Sequence, residues 1–280
     1  MISRPPGGMA KDLSAMVRVR NEAEFLYASV RSIIDHVEEV ILVDNQSTDG
    51  SPAIMERLRR EFAEKVFVYH YRYPIRRIGR ENWEYATDPA HRTSPSLSAN
   101  YFNWCKDRCT RSYVLNWDGD MIATDYFYEI VSAWRHSDKQ VVFLRGVNVH
   151  PDREHLIAAR CTDRDAILAS LSVPGLPRWA THMTRDSPEA RIYPTQGSRF
   201  TTDRRWTQRI STPFVDDDPD RQYVCDASGV SYLHMKFCKR DPFSNYSDDL
   251  GRALAANVTV GPILERQWKA LLDRAERLLA

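Results

Sequence analysis

Residues Val40 to Ser51 read VILVDNQSTDGS, and the order of residue types in that stretch decides the fold. Val40 to Val43 is short and wholly apolar, which suits a strand buried on both faces of a parallel sheet. It ends on a carboxylate, Asp44, and drops into a polar turn. Ser51-Pro52 then starts a helix with Pro at its first position. In an open α/β sheet, ligands sit outside the carboxyl ends of the strands. Asp44 is therefore placed to receive a hydroxyl or an amide N–H from a bound nucleotide. A second strand, Ser112 to Trp117, also ends in carboxylates, Asp118-Gly119-Asp120. Two acidic strand ends in one alternating chain predict a site for a nucleotide and a divalent metal.

Working outward, Leu13 to Arg20 alternates apolar and polar residues as a strand does. Asn21 and Glu24 have the spacing of a capping box. Leu26, Val30, Ile33, Ile34 and Val37 form the buried stripe of the helix that follows. Ile54, Leu58 and Phe62 give the next helix its inner face, and Val66 to Tyr71 is a third strand. Tyr73 to Pro95 reads as a long polar loop rich in Arg and Trp. Such loops are usually functional or mobile, and Arg72, Arg76, Arg77 and Arg80 would let this one close over a diphosphate. Leu97 to Cys109 and Tyr126 to Trp134 read as helices, and Val141 to Val149 as a strand. The first 150 residues thus spell a mostly parallel α/β sheet flanked by helices. Beyond them only Val230 to Phe237, a late strand, and Ile263 to Leu279, an amphipathic helix, stand out. The expected organisation is a leader over 1–12, one domain over 13–240 and a C-terminal helical segment over 241–280. The domain divides into a nucleotide half, about 13–122, and an acceptor half, about 123–240.

The chain has 280 residues, 42% of them hydrophobic, enough for one well-packed core. With 39 basic and 38 acidic residues, the net charge of +1 gives no global reason to expect nucleic-acid or membrane binding. No apolar run approaches the roughly 20 residues needed to span a bilayer, and MISRPPGGMA lacks the apolar region of a signal peptide. The five cysteines include no CxxC pair. Reduced thiols and a cytoplasmic location are the expectation.

Asp118-Gly119-Asp120 is also a hairpin-turn signal. A strand before it and a helix from about Thr124 are not hairpin spacing. Two carboxylates separated by Gly can offer hard oxygen ligands to Mg²⁺ or Mn²⁺, and the Gly lets the backbone approach a ligand closely.

With VRVRNEAEFL (Val17 to Leu26), ILVDNQSTDGS (Ile41 to Ser51), Asn103 and NWDGD (Asn116 to Asp120), the chain resembles a family 2-type glycosyltransferase of GT-A fold. The family's Asn on the helix before its DxD motif lies fifteen positions ahead, and here 118 − 103 = 15. The Arg usual just before that Asn is Phe102 here, and the usual Asp-Gly after the first Asp is Asn45-Gln46. The resemblance implies a nucleoside-diphosphate sugar as donor and Mn²⁺ or Mg²⁺ as cofactor. It implies that Asp44 holds base or ribose and that Val17, Arg20 and Glu22 line the nucleotide pocket. Asn103 and Lys236 would lie near the diphosphate, Asp118 would touch ribose and metal, and Asp120 and His234 would complete the metal ligands. His234 follows the motif by 114 positions (234 − 120 = 114); a hydrogen-bonded histidine on a half-buried strand is the bland alternative. An inverting transferase also needs a carboxylate base, and Asp217, within Asp216-Asp217-Asp218, is the candidate. Of the aromatics, Tyr101 and Trp104 read as core and Trp83 as an acceptor-site candidate.

The function that follows is metal-dependent transfer of a sugar to an acceptor hydroxyl. The sequence leaves the acceptor open among a glycan, a lipid-linked glycan, a small molecule, a protein and a modified nucleic acid, and a homo-oligomer is compatible with it. The alternatives are a sugar-phosphate nucleotidylyltransferase, which would want a Gly-rich loop that Val17 to Glu22 lacks, and a non-catalytic nucleotide-sugar or glycan-binding module.

Overall fold

Alternate residues of the central strands enter two different cores, as a sheet covered on both faces requires. A computed structural model describes residues 11–76, 80–144, 146–150, 182–185, 190–202, 208–211, 222–224 and 231–235. Within them run β1 (Leu13–Val19), α1 (Leu26–Ile33), β2 (Glu39–Asp44), α2 (Ser51–Glu61), β3 (Val66–His70), α3 (Arg80–Thr87), α4 (Ser98–Lys106), β4 (Tyr113–Asp118), β5 (Met121–Ala123) and α5 (Asp125–Arg135). There follow β6 (Val141–Phe143), β7 (Gly146–His150), β8 (His182–Arg185), β9 (Arg191–Pro194), β10 (Arg199–Thr202), β11 (Gln208–Ser211), β12 (Gln222–Val224) and β13 (Tyr232–His234).

The large sheet has the order β12-β6-β9-β4-β1-β2-β3. β3, β2, β1 and β4 are parallel neighbours, as are β6 and β12, while β9 runs antiparallel to both β4 and β6. A second sheet has the order β5-β13-β7-β8, and β10 pairs with β11 alone. The expectation of a mostly parallel sheet flanked by helices holds. Leu13, Ala15, Val17 and Val19 of β1 join Val40 and Leu42 of β2 and Leu115 and Trp117 of β4 in the core beneath α1, α2 and α5. Met16, Ile41, Val43 and Val114 point the other way, against Tyr101, Phe102 and Cys105 of α4.

Three local expectations change. Val141 to Val149 is two strands in two sheets, because the chain leaves the large sheet after Phe143 and re-pairs from Gly146. Gly146 lies opposite Tyr232, and a Cβ there would sit 2.2 Å from the Tyr232 ring. The Tyr73 to Pro95 loop contains α3 and a 3₁₀ turn at Pro89–His91. Its Asn82 is buried and accepts from the Ser98 N–H at 3.1 Å, so it caps α4. The Asn21 capping box is absent. Helix α1 begins at Leu26 with no side-chain cap, and Asn21 takes a positive φ of 58°. Its Oδ1 accepts from the Thr48 N–H at 2.8 Å, joining the turn after β1 to the turn after β2.

At the far end of the sheet, buried Glu39 accepts from the Ser14 hydroxyl at 2.6 Å and from the Thr110 N–H and hydroxyl at 2.8 and 2.6 Å. Lys11 and Asp12, assigned from sequence to the leader, are also bonded. Lys11 Nζ donates to the carbonyls of Trp134, Ser137 and Lys139 at the end of α5, and Asp12 Oδ1 accepts from the Ser112 N–H.

Candidate active site at the carboxyl ends of the parallel strands

The turns after β1 and β2 are stitched into one surface. The Ser51 hydroxyl accepts from the Glu22 N–H at 2.7 Å, and Asp49 accepts from the Ala23 and Ser51 N–H groups at 3.0 and 2.9 Å. Burial would raise the Asp49 pKa, but hydrogen bonds from Ser51 and Ala23 outweigh it and hold the carboxyl below the ordinary range. Asn45, next to Asp44, spends its amide on the Tyr71 and Tyr73 carbonyls at 3.3 and 2.8 Å. Gln46 accepts a left-handed backbone with φ 59° and bonds the Arg72 carbonyl. These side-chain bonds hold a turn that glycine would otherwise have to make.

Asp44 sits at the bottom of this surface, 6% exposed. Its Oδ1 accepts from the Ser47 N–H at 3.1 Å, and its Oδ2 is 3.5 Å from His70 Nδ1. Of the other residues expected along the pocket, Val17 is fully buried in the core, so only its backbone can face a ligand. Arg20 is exposed, and Glu22 packs against Gly119. A Cβ on Gly119 would meet Glu22 Cγ at 2.9 Å, so the glycine makes room for a neighbouring side chain.

The two carboxylates of Asp118-Gly119-Asp120 diverge. Asp118 pairs with Arg18, its register partner on β1, and the two side chains are 21% and 13% exposed. The Arg18 guanidinium lies over the Phe102 ring, 3.8 Å from its centroid. Asp120 turns instead to His234, with Oδ1 3.3 Å from Nε2 and both side chains at most 4% exposed. Antiparallel pairing of β13 with β5 sets this contact, since His234 lies opposite Met121 and the Met235 N–H donates to the Asp120 carbonyl at 2.8 Å. Carboxylate plus imidazole is a donor set that suits Mn²⁺ and, less well, Mg²⁺. Among the described residues no group of three His, Cys, Asp or Glu side chains converges as a metal site.

Asn103 is engaged elsewhere. Its amide donates to the Phe200 carbonyl at 3.0 Å and its Oδ1 accepts from the Phe200 N–H at 2.9 Å, clamping α4 to β10. Tyr101 is buried and Trp104 half-buried, and Trp83 is half-buried on α3. Asp216, Asp217, Asp218 and Lys236 lie outside the described residues, as does the C-terminal segment over 241–280 with the helix expected from Ile263 to Leu279.

Sequence reasoning missed Ser29 and Ser32. The Ser29 hydroxyl donates to the Asp118 carbonyl and accepts from Trp117 Nε1, both at 3.0 Å. The Ser32 hydroxyl accepts from the Ala123 N–H at 2.9 Å and donates to the Ser29 carbonyl at 2.7 Å. Together they fasten the acidic turn to α1. The available signal was two serines, spaced i, i+3, on an otherwise apolar buried stripe, where a hydroxyl must find a partner.

A family model described as glycosyl transferase family 2 matches residues 14–74. No curated protein matches the chain. Among solved structures, S. aureus TarS 1-349 is 15% identical, with 94% of this chain and 71% of that one covered and a TM-score of 0.43. The longer S. aureus TarS structure gives 15% and 0.44, with this chain spanning 43% of its length. Glucosyl-3-phosphoglycerate synthase from Mycobacterium tuberculosis, in complex with Mn²⁺, UDP-glucose and phosphoglyceric acid, is 14% identical, with 70% and 63% covered and a TM-score of 0.36. Residues 14–74, which carry β1, the Asp44 turn and β3, are of glycosyl transferase family 2 type, as the resemblance in the sequence implied.

Proposed function

We propose that the chain transfers a sugar from a nucleoside-diphosphate donor to an acceptor hydroxyl, with a divalent metal bound at the acidic turn. The observation that carries this reading is the Asp120–His234 pair, 3.3 Å apart and shielded from solvent, with Asp120 two residues beyond Asp118 in the turn after β4. Asp120 and His234 would hold the metal, which when bound neutralises the diphosphate and makes it a better leaving group. Asp44 would hold the base or ribose, two strands from Asp118 in the order β4-β1-β2. The stitched turns after β1 and β2 would form a rigid floor, so that little ordering is required on binding. Arg18 supplies positive charge beside the acidic turn. Asp217 remains the proposed base for an inverting transfer. The acceptor class, a glycan, a lipid-linked glycan or a small molecule, and a cytoplasmic setting belong to the same proposal. No helix among the described residues is long and apolar enough to cross a membrane.

Incubation with a panel of nucleoside-diphosphate sugars and Mn²⁺ tests the reading. Slow acceptor-independent donor hydrolysis is expected, and excess EDTA should abolish it. Full activity in EDTA would remove the metal from the proposal, and tight donor binding with no turnover would make the chain a binding module.

Asp44→Ala should weaken nucleotide affinity while leaving kcat nearly unchanged. Its partner lies away from the reacting carbon, so its contribution is the same in ground and transition states. A hydrogen bond to a charged group contributes about 1.5–3 kcal/mol, or roughly a 10- to 150-fold change in Kd. Calorimetry with nucleoside diphosphates measures this. An unchanged Kd would take Asp44 out of the site.

A further inference from the structure

We propose that Arg18 changes partners when the donor binds, giving up Asp118 for the diphosphate. The inference rests on the donor site proposed above and assigns a role to a residue outside the acidic turn itself.

Three observations carry it. First, Asp118 does not converge with Asp120 and His234; it is held by Arg18 on the adjacent strand. Two carboxylates so close in sequence need compensating positive charge, and the guanidinium provides it for the first of them. Second, Arg18 is presented on an aromatic platform. Its guanidinium lies 3.8 Å from the centroid of Phe102, which is itself 3% exposed. A flat cation on a buried ring keeps its plane and its place at the strand ends when its ion-pair partner leaves. Third, Arg18 Nε is buried without a hydrogen-bond partner, while Nη2 serves Asp118. A guanidinium with donors still unspent suits a phosphate, whose oxygens accept from it in bidentate fashion.

A largely desolvated ion pair adds little to stability compared with apolar packing. This one instead determines which cation Asp118 meets. In the free protein it is Arg18. Once a divalent ion sits at Asp120 and His234, the carboxylate of Asp118 can turn to the metal or the ribose, and the guanidinium is released beside the diphosphate. Arg18 and the metal thus compete for Asp118 when no nucleotide is present and cooperate when one is.

Calorimetry on the full chain tests this with three probes: Mn²⁺ alone; UDP, GDP, ADP, CDP and dTDP, each with Mn²⁺; and the nucleoside matching the tightest of these. Arg18→Gln should lower nucleoside-diphosphate affinity about tenfold or more, in keeping with loss of a charged hydrogen bond. Nucleoside affinity should stay unchanged, and affinity for Mn²⁺ alone should rise about threefold, because a competitor for Asp118 is gone. Arg18→Lys, which keeps the charge but loses the fork, should fall between the wild type and Arg18→Gln, and it carries the test if Arg18→Gln does not fold. A residue that merely braced Asp118 would, when replaced, weaken Mn²⁺ and nucleotide together or leave both unchanged; either result overturns the exchange. If the wild type binds no nucleoside diphosphate at all, the donor site fails and the inference with it. If the wild type binds one and Arg18→Gln binds it equally well, the inference alone fails.

Discussion

Asp120→Asn is expected to lower donor turnover about a thousandfold while leaving the fold intact. Asparagine keeps the shape of the side chain and its place beside His234, and the Asp120 carbonyl still accepts from the Met235 N–H. What is lost is the negative charge that would hold a divalent ion. Metal assistance supplies several kcal/mol of charge stabilisation at the transition state, and each 1.36 kcal/mol is a factor of ten in rate. Turnover with saturating donor and Mn²⁺, measured beside a thermal melt, checks the expectation. Activity within tenfold of wild type in a protein of unchanged Tm would leave Asp120 no part in metal chemistry.

The largest effect on stability should come from Trp117→Ala. Trp117 is fully buried, packs at 5.4 Å from Phe127 and 5.6 Å from Tyr232, and donates Nε1 to Ser29. Replacing a buried tryptophan with alanine typically costs about 3–5 kcal/mol, through lost burial and the cavity left behind. At about 2–4 °C per kcal/mol for a domain of this order, Tm should fall by about 6–20 °C. The damage would extend to the site, because Ser29 bonds both Trp117 and the Asp118 carbonyl, and Tyr232 is two residues from His234. Differential scanning calorimetry reads the first effect. A loss below about 1 kcal/mol would show that the core refills the space.

The parallel core was legible because burial on both faces leaves an unmistakable pattern. Val40 to Val43 has no polar residue at all, and the buried stripe from Leu26 to Val37 has helical spacing throughout. Asp44 and Asp118-Gly119-Asp120 could be placed because a strand's last residue is fixed once the strand is. His234 could be singled out as a residue, but its contact with Asp120 depends on antiparallel pairing between segments more than 100 positions apart, which no local period encodes. The same limit hid β9. Arg191–Pro194 lies where the sequence loses its periodicity, yet it fits between β4 and β6 because Ile192 completes one core and Tyr193 the other. Helix α3 was hidden by composition. Its charged and aromatic residues looked like loop, and its anchors are the buried amide of Asn82, whose partner is sixteen residues away, and Tyr85, which packs on the core around α4 and bonds Ser94. Asn21 misled for a related reason, since its side chain satisfies Thr48 on the neighbouring turn instead of the helix it precedes.

Insertion of β13 between β5 and β7 also orders events in time. β1, β2 and β3 pair between neighbours in sequence, and β4 reaches back 100 residues to β1 (118 − 18 = 100). β13 has to return across a separation of 114 residues, counted from Asp120 to His234. Closing a loop of that length costs about 4 kcal/mol of chain entropy, and pairings so distant in sequence form slowly. A nascent chain therefore joins the turns after β1 and β2 before it forms the Asp120–His234 pair. A polypeptide that stalls or is clipped before Tyr232 would keep the Asp44 turn while losing the Asp120–His234 pair proposed to hold the metal.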